Sequence, residues 1–201
     1  MIIDIHSHLG HHPIMDFKQE TKEILDVMDR FGIDKTFVLP FPSMKMKKVN
    51  DAVAKAVKKH PDRLVGFACI DPASEDALAE IDRAVDIGLK GVMLDPDFHR
   101  VFGRRGPSTV EEIMFPCMEH ELPVLLNTPN DEVGEAWRMG REPYYEGLNG
   151  LASKFPSVRF FIGPYWPRIT ELMKAYPNVF VDSGGRNGIG AAARIAQDLA
   201  P

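Results

Sequence analysis

Residues 63–96, "RLVGFACIDPASEDALAEIDRAVDIGLKGVMLDP", decide how this chain folds. Two apolar runs, "RLVGFACIDP" and "LKGVMLDP", flank a segment with helical spacing, and each run ends in Asp-Pro. Short runs rich in Val, Phe, Ile and Leu suit strands that are buried on both faces. Between them Ser74 is placed to cap a helix, with Glu75 and Asp76 in its first turn. Leu78, Ile81 and Val85 then recur on one helical face, and Gly88 supplies the stop. Strand, helix and strand in so short a stretch make a βαβ unit, whose strands are parallel and whose crossover is right-handed.

The same alternation runs outward in both directions. Upstream, "MIIDI" reads as a first strand. It is followed by a helix with Ile24, Val27, Met28 and Phe31 as its stripe, ended by Gly32. "DKTFVLPF" reads as the second strand, and a lysine-laced helix follows with Val49, Val53, Ala56 and Val57 on its apolar face. Downstream, a polar loop leads to a helix that can begin at Ser108, with Glu111 completing a capping box. Pro116 makes that helix either kinked or started twice. "LPVLLN", "SVRFFIG" and "NVFVDSGG" read as the fifth, sixth and seventh strands. A long loop after the fifth leads to a helix carrying Leu148, Leu151 and Phe155; Ile169, Leu172, Met173 and Tyr176 mark the next, and an Ala-rich helical segment closes the chain. No GxGxxG or Walker sequence follows any strand, so the usual nucleotide-binding open sheets lose their signature. Polar residues instead collect at strand C-terminal ends: His6, His8, Asp71, Asp95, Asn127 and Asp182. In a (β/α) barrel those ends share the functional face.

Bulk properties fit one soluble domain over residues 1–201 with an ordinary composition, 44% hydrophobic and 26% charged. The formal net charge of −5 speaks against a nucleic-acid footprint. The basic stretch from Lys45 to His60 interleaves with an apolar stripe and reads as a solvated helix face. The two cysteines, Cys69 and Cys117, sit in apolar settings and read as buried thiols of a cytoplasmic protein. No signal peptide or membrane span is legible, so neither a membrane nor nucleic acid is expected as partner.

The opening "MIIDIHSH" places Asp4, His6 and His8 on alternate positions of the first strand. A strand sends such positions to one side, so two imidazoles and a carboxylate converge there as the start of a metal site. Asp4 reads as an orienting partner rather than a ligand. His11 and His12 follow in a loop, where exposure without a role is the plainer reading.

The segments "IDIHSH", "GLKGVMLDP", "ELPVLLNTP", "FPSVRFFIGPYW" and "YPNVFVDSGG" resemble, in this order, the strand motifs of the amidohydrolase superfamily. The resemblance is to its amidohydrolase-related branch, which includes aminocarboxymuconate-semialdehyde decarboxylase. It implies an α/β fold, a TIM-like (β/α) barrel that is incomplete, with about seven parallel strands and the eighth missing. It implies a divalent metal, zinc first, and maps His6 and His8 onto the first two ligands. The same resemblance sets Asn127 where a fifth-strand histidine belongs and Pro164 where a sixth-strand histidine belongs; proline has no donor atom. Three readings of function follow. The chain is a metal-dependent hydrolase or decarboxylase of a small carboxylate or amide-type substrate with a degenerate site, an inactive relative that binds a small molecule or protein, or a truncated piece of a longer protein.

Other residues bear on the first reading. Asp95, His99 and Asp182 can help His6 and His8 hold a metal. Asp95-Pro96 starting a turn is the competing reading of Asp95. Asn127, Arg104, Arg105, Tyr165 and Trp166 are candidates for the substrate pocket, the arginines as a carboxylate clamp and the aromatics as a wall. Open first and seventh strands would invite cover by the C-terminal segment or by a second copy of the chain.

Overall fold

The computed structural model describes residues 1–13, 16–96, 98–99, 108–127, 136–163, 168–182, 193, 196–197 and 199, with backbone only for 108–109 and 136–143. They form two compact units, Met1–Leu94 and Asp95–Pro201.

The first unit runs β1 (Ile3–His11), β2 (Lys18–Gln19), α1 (Thr21–Phe31), β3 (Lys35–Pro40), α2 (Met46–Lys59), β4 (Leu64–Gly66), β5 (Ala68–Cys69), α3 (Ala77–Asp86) and β6 (Val92–Leu94). β1 pairs in parallel with β3, β3 with β4, and β5 with β6. The short β2 folds back antiparallel on the end of β1, a hairpin that the sequence pattern does not announce. Glu20 and Glu23 form the capping box of α1, and Gly32 ends the helix in the left-handed region at φ 66°. Only Ile24 and Met28 of the expected α1 stripe are buried; Val27 and Phe31 lie in solvent. Leu78 of α3 is likewise exposed, while Ala77, Ile81 and Ala84 are buried. The lysines of α2 at 47, 48, 55, 58 and 59 are exposed, as a solvated face requires.

The expected single strand over "RLVGFACIDP" is in fact broken at Phe67, and the backbone donors give the reason. Phe67 donates its N–H to Val38 O at 2.9 Å. Two residues further along β3 stands Pro40, which has no N–H to extend a ladder. Past the break, Ala68 and Ile70 donate to Gly91 O and Met93 O. The other edge of Cys69 is taken by a side chain: its N–H donates to Asn50 Oδ1 at 2.8 Å, and Asn50 Nδ2 donates back to Cys69 O at 3.1 Å. Asn50 therefore stands in for a missing strand.

Asn50 is fully buried, and its second amide hydrogen goes to Glu80 Oε1 at 2.7 Å. Arg83 closes on the same carboxylate with Nε and Nη2, at 2.8 and 2.7 Å, and reaches Asp51 at 2.7 Å. Both oxygens of a carboxylate with no exposed surface are thus satisfied. The network ties α2, α3 and β5 together.

The hydroxyl of Thr36, buried in β3, has no hydrogen-bond partner among the described residues. Leaving a polar atom unpaired in a dry site costs roughly 1–3 kcal/mol. Thr36→Val keeps the shape and removes that atom, so the variant is expected to gain about 1 kcal/mol in urea unfolding. A loss of similar size would mean the hydroxyl finds a partner.

The second unit carries α4 (Ser108–Glu119), β7 (Val124–Asn127), α5 (Ala136–Lys154), β8 (Phe160–Gly163), α6 (Ile169–Ala175) and β9 (Val179–Val181). β7, β8 and β9 form a parallel ladder. Pro116 lies inside one continuous α4, which settles the alternative left open at that residue. α5 already begins at Ala136, within the stretch expected as loop; the Gly and Pro that argue for a loop are a weak local preference that the fold overrides. Asn178, also buried, directs its amide nitrogen at Ala152 O, Phe155 O and Val158 O, at 3.3, 3.1 and 3.0 Å. It thereby satisfies carbonyls at and after the end of α5.

Candidate functional site

The histidines of β1 meet. Between Asp4 and Ser7 the β1–β3 register slips, with Asp4 opposite Thr36 but Ser7 already opposite Val38, so three residues of β1 cover two of β3. Such a bulge re-aims side chains. Asp4 Oδ1 accepts the backbone N–H of His6 at 3.1 Å, which pins the bulge. The Nε2 atoms of His6 and His8 come to 3.0 Å from one another. On the far side of its ring, His8 places Nδ1 3.2 Å from Pro40 O. A carbonyl only accepts, so Nδ1 carries the proton and Nε2 of His8 holds a lone pair. His8 also stacks on Phe41, with ring centroids 4.7 Å apart and planes 12° apart.

The His8 pKa falls to about 3, first through desolvation and then through the neighbouring His6 and, more weakly, His12, against the raising effect of the Pro40 carbonyl. His8 is thus a neutral imidazole at neutral pH, the form that ligates metals. Two nitrogens bound to one zinc at ~2.0–2.1 Å each lie no more than about 4.2 Å apart, and the observed separation falls inside that limit. The backbone carbonyl behind the His8 ring is the kind of support that metal-binding histidines keep. The pair therefore suits a divalent ion in chemistry and spacing. Among the described residues no group of three or more His, Cys, Asp or Glu side chains is assembled to hold one.

His11 turns away, its Nδ1 donating to His12 O at 2.9 Å in an exposed setting. His12 packs its ring against Phe41 at 5.2 Å. In the second unit, Asp95 accepts the N–H of Phe98 on Oδ1 and the amide of Asn127 on Oδ2, both at 2.8 Å. It does start a turn, since His99 N donates to Asp95 O. The acceptor-only carboxylate also fixes which way the Asn127 amide points. His99 and Asp182 are buried. Arg104, Arg105, Pro164, Tyr165 and Trp166 lie outside the described residues. Pro40 and Phe41, which support His8, and Phe17, whose ring stands edge-on to Phe41, carry no site signal in the sequence beyond the end of the second strand at "LPF". No described helix is long and apolar enough to cross a membrane.

A family model described as amidohydrolase matches residues 3–200. No curated protein matches the chain. Among solved structures, the chain is similar to 2,6-dihydroxybenzoate decarboxylase complexed with 2,6-dihydroxybenzoate. Identity there is 15% and the TM-score 0.70, over 98% of this chain and 84% of that one. It is similar to a 5-carboxyvanillate decarboxylase from Novosphingobium aromaticivorans with bound manganese, at 17% identity and TM-score 0.65, over 87% and 69%. It is also similar to an uncharacterised TIM-barrel protein from Bordetella bronchiseptica, at 18% identity and TM-score 0.63, over 90% and 74%. The chain spans 66% of the length of another match, an amidohydrolase II. These likenesses give the fold: α/β with parallel strands, of the TIM-barrel class. The described residues hold the seven parallel strands expected, one of them in two pieces, beside the short antiparallel β2, and no eighth parallel strand.

Proposed function

The chain belongs to the amidohydrolase family, and on that footing we propose that it is a metal-dependent hydrolase or decarboxylase of a small ring-bearing carboxylate, with His6 and His8 as its metal-binding pair. What carries the reading is the 3.0 Å approach of the two Nε2 atoms, with the Pro40 carbonyl holding His8 in the tautomer that leaves Nε2 unprotonated. Asp4 fixes the backbone beneath His6, and stacking on Phe41 fixes the plane of the His8 ring. A bound divalent ion supplies a Lewis acid that draws electrons from a substrate oxygen. Imidazole ligands suit zinc and neighbouring transition metals, so zinc is the first candidate and manganese, bound by one neighbour, the second. The substrate class follows the dihydroxybenzoate and carboxyvanillate of the decarboxylases it resembles in fold.

The test is metal content per chain, measured by elemental analysis of protein purified without chelators. About one divalent ion per chain is expected in the native protein. His6→Ala and His8→Ala should each lose it, and His11→Ala should keep it. Metal retained in both His6 and His8 variants, or none taken up by native protein in excess zinc or manganese, would sink the reading. A second reading then leads, that of a binding module without catalysis. It is favoured by Asn127, whose amide is committed to Asp95 where the family has a histidine.

A further inference from the structure

At the other end of β3 from the His6–His8 pair lies a cleft of about 480 Å³, a size at which small molecules bind, roughly 300–1,000 Å³. It is framed by the end of α1, by the turn into β3 and by the two residues before β4. Lys35 opens β3 at this cleft, whereas Pro40, whose carbonyl stands behind His8, closes the same strand. At ~3.3 Å per residue the two are roughly 16 Å apart. Buried Met28 and half-buried Ile33 supply an apolar lining. The charged groups divide into satisfied and open ones. Arg63 donates Nη2 to Asp29 Oδ1 at 2.8 Å and to Ile33 O at 3.2 Å, and Nε to Asp34 O at 3.3 Å. Asp34 Oδ2 in turn accepts the Ile2 N–H at 2.5 Å. That leaves Arg63 Nη1, the Lys35 ammonium and the Asp62 carboxylate without a partner among the described residues.

We propose that this cleft is a second binding site, for a zwitterion of the α-amino acid type with an aliphatic side chain. A bare anion meets three carboxylates against two cations there, and a bare amine meets Lys35 and Arg63. A zwitterion answers both open signs at once. Its carboxylate goes to the Lys35 ammonium and Arg63 Nη1, its ammonium to Asp62, and its side chain to Met28 and Ile33. The ladder sets the two cations together: Thr36 lies opposite Leu64, so Lys35 and Arg63 stand side by side one step before it. Three hydrogen bonds already fix the guanidinium, so little side-chain freedom is lost when a ligand arrives. The inference is independent of what His6 and His8 hold.

L-leucine, 4-methylpentanoate and 3-methylbutylamine share one branched chain and carry both charges, the carboxylate alone and the ammonium alone. Each is titrated into the full chain at fixed ionic strength while backbone amide shifts are followed by NMR. Leucine should move the amides of Ile33, Lys35, Asp62 and Arg63 saturably. Each single-charge analogue should bind about threefold to fivefold more weakly, the worth of one exposed charge pair. Lys35→Gln should weaken leucine and 4-methylpentanoate by a similar factor and leave the amine alone. Asp62→Asn should weaken leucine and the amine and leave 4-methylpentanoate alone. Asp62 is exposed and Lys35 half-buried at a strand start, so both variants should keep the native circular dichroism and metal content. The proposal is overturned by no saturable shift up to about 20 mM leucine, or by shifts confined to the His6–His8 end. An analogue that binds as tightly as leucine, or a leucine affinity unaltered in either variant, overturns it equally.

Discussion

Arg83→Ala is expected to lower the free energy of unfolding by about 3–5 kcal/mol, a large part of the ~5–15 kcal/mol that a domain commands. The reason lies with its partner. Glu80 has no exposed side-chain surface, and Arg83 supplies two of its three hydrogen bonds. Without the guanidinium, a carboxylate stays buried with only the Asn50 amide against it. The reverse change, Glu80→Ala, should cost less, because Arg83 is 30% exposed and keeps Asp51. Replacing both residues by methionine should recover most of the loss, since well-packed apolar side chains replace buried ion pairs at little cost. Urea unfolding followed by circular dichroism measures each of these variants against the native chain. A loss below about 1 kcal/mol for Arg83→Ala would mean that water reaches Glu80 in the folded chain.

Gly91→Ala should be the most damaging single methyl group. A Cβ there would lie 2.3–2.6 Å from three ring atoms of Phe67, a side chain with no exposed surface. Close-packed interiors do not yield by that much without moving backbone, and overpacking of this kind costs about 1–3 kcal/mol. We expect the top of that range, because an aromatic ring cannot fold its end away. At roughly 2–4 °C per kcal/mol for a chain of this size, the thermal midpoint should fall by about 6–12 °C. Adding Phe67→Leu should restore part of the loss by withdrawing the ring edge. Gly88→Ala makes a useful contrast. Its site is open but its φ is +92°, so backbone strain alone acts, at about 1 kcal/mol. A Gly91→Ala midpoint within 2 °C of native would show that β5 and β6 slide apart more easily than their packing implies.

Order and type of the elements were legible because periodicity reports local geometry and turn residues punctuate it. The strands around Val38, Val92, Leu125 and Ile162 stand where the apolar runs lie. What failed depends on partners remote in sequence. The break at Phe67 needs Pro40 and Asn50, neither of which marks the run "RLVGFACI". Asn50 sits in a lysine-rich helix and looks like any polar surface residue until Cys69 and Glu80 are found against it. Val27, Phe31 and Leu78 fit a helical stripe, yet a helix buries only what its neighbours reach. At the candidate site, the pairing of His6 with His8 was readable from strand alternation. The Pro40 carbonyl and the stack on Phe41 were not, since both come from another strand.

The two buried cysteines fall one to each unit, Cys69 in β5 and Cys117 in α4. Burial pushes the Cys117 thiol up to about 12, far from the thiolate that reacts. Neither sulfur can be alkylated until the segment around it opens. The chain thus carries two native clocks: the rate at which each thiol is labelled times the opening of its own half. Arg83→Ala, which loosens the lattice around Cys69, should quicken the first clock more than the second.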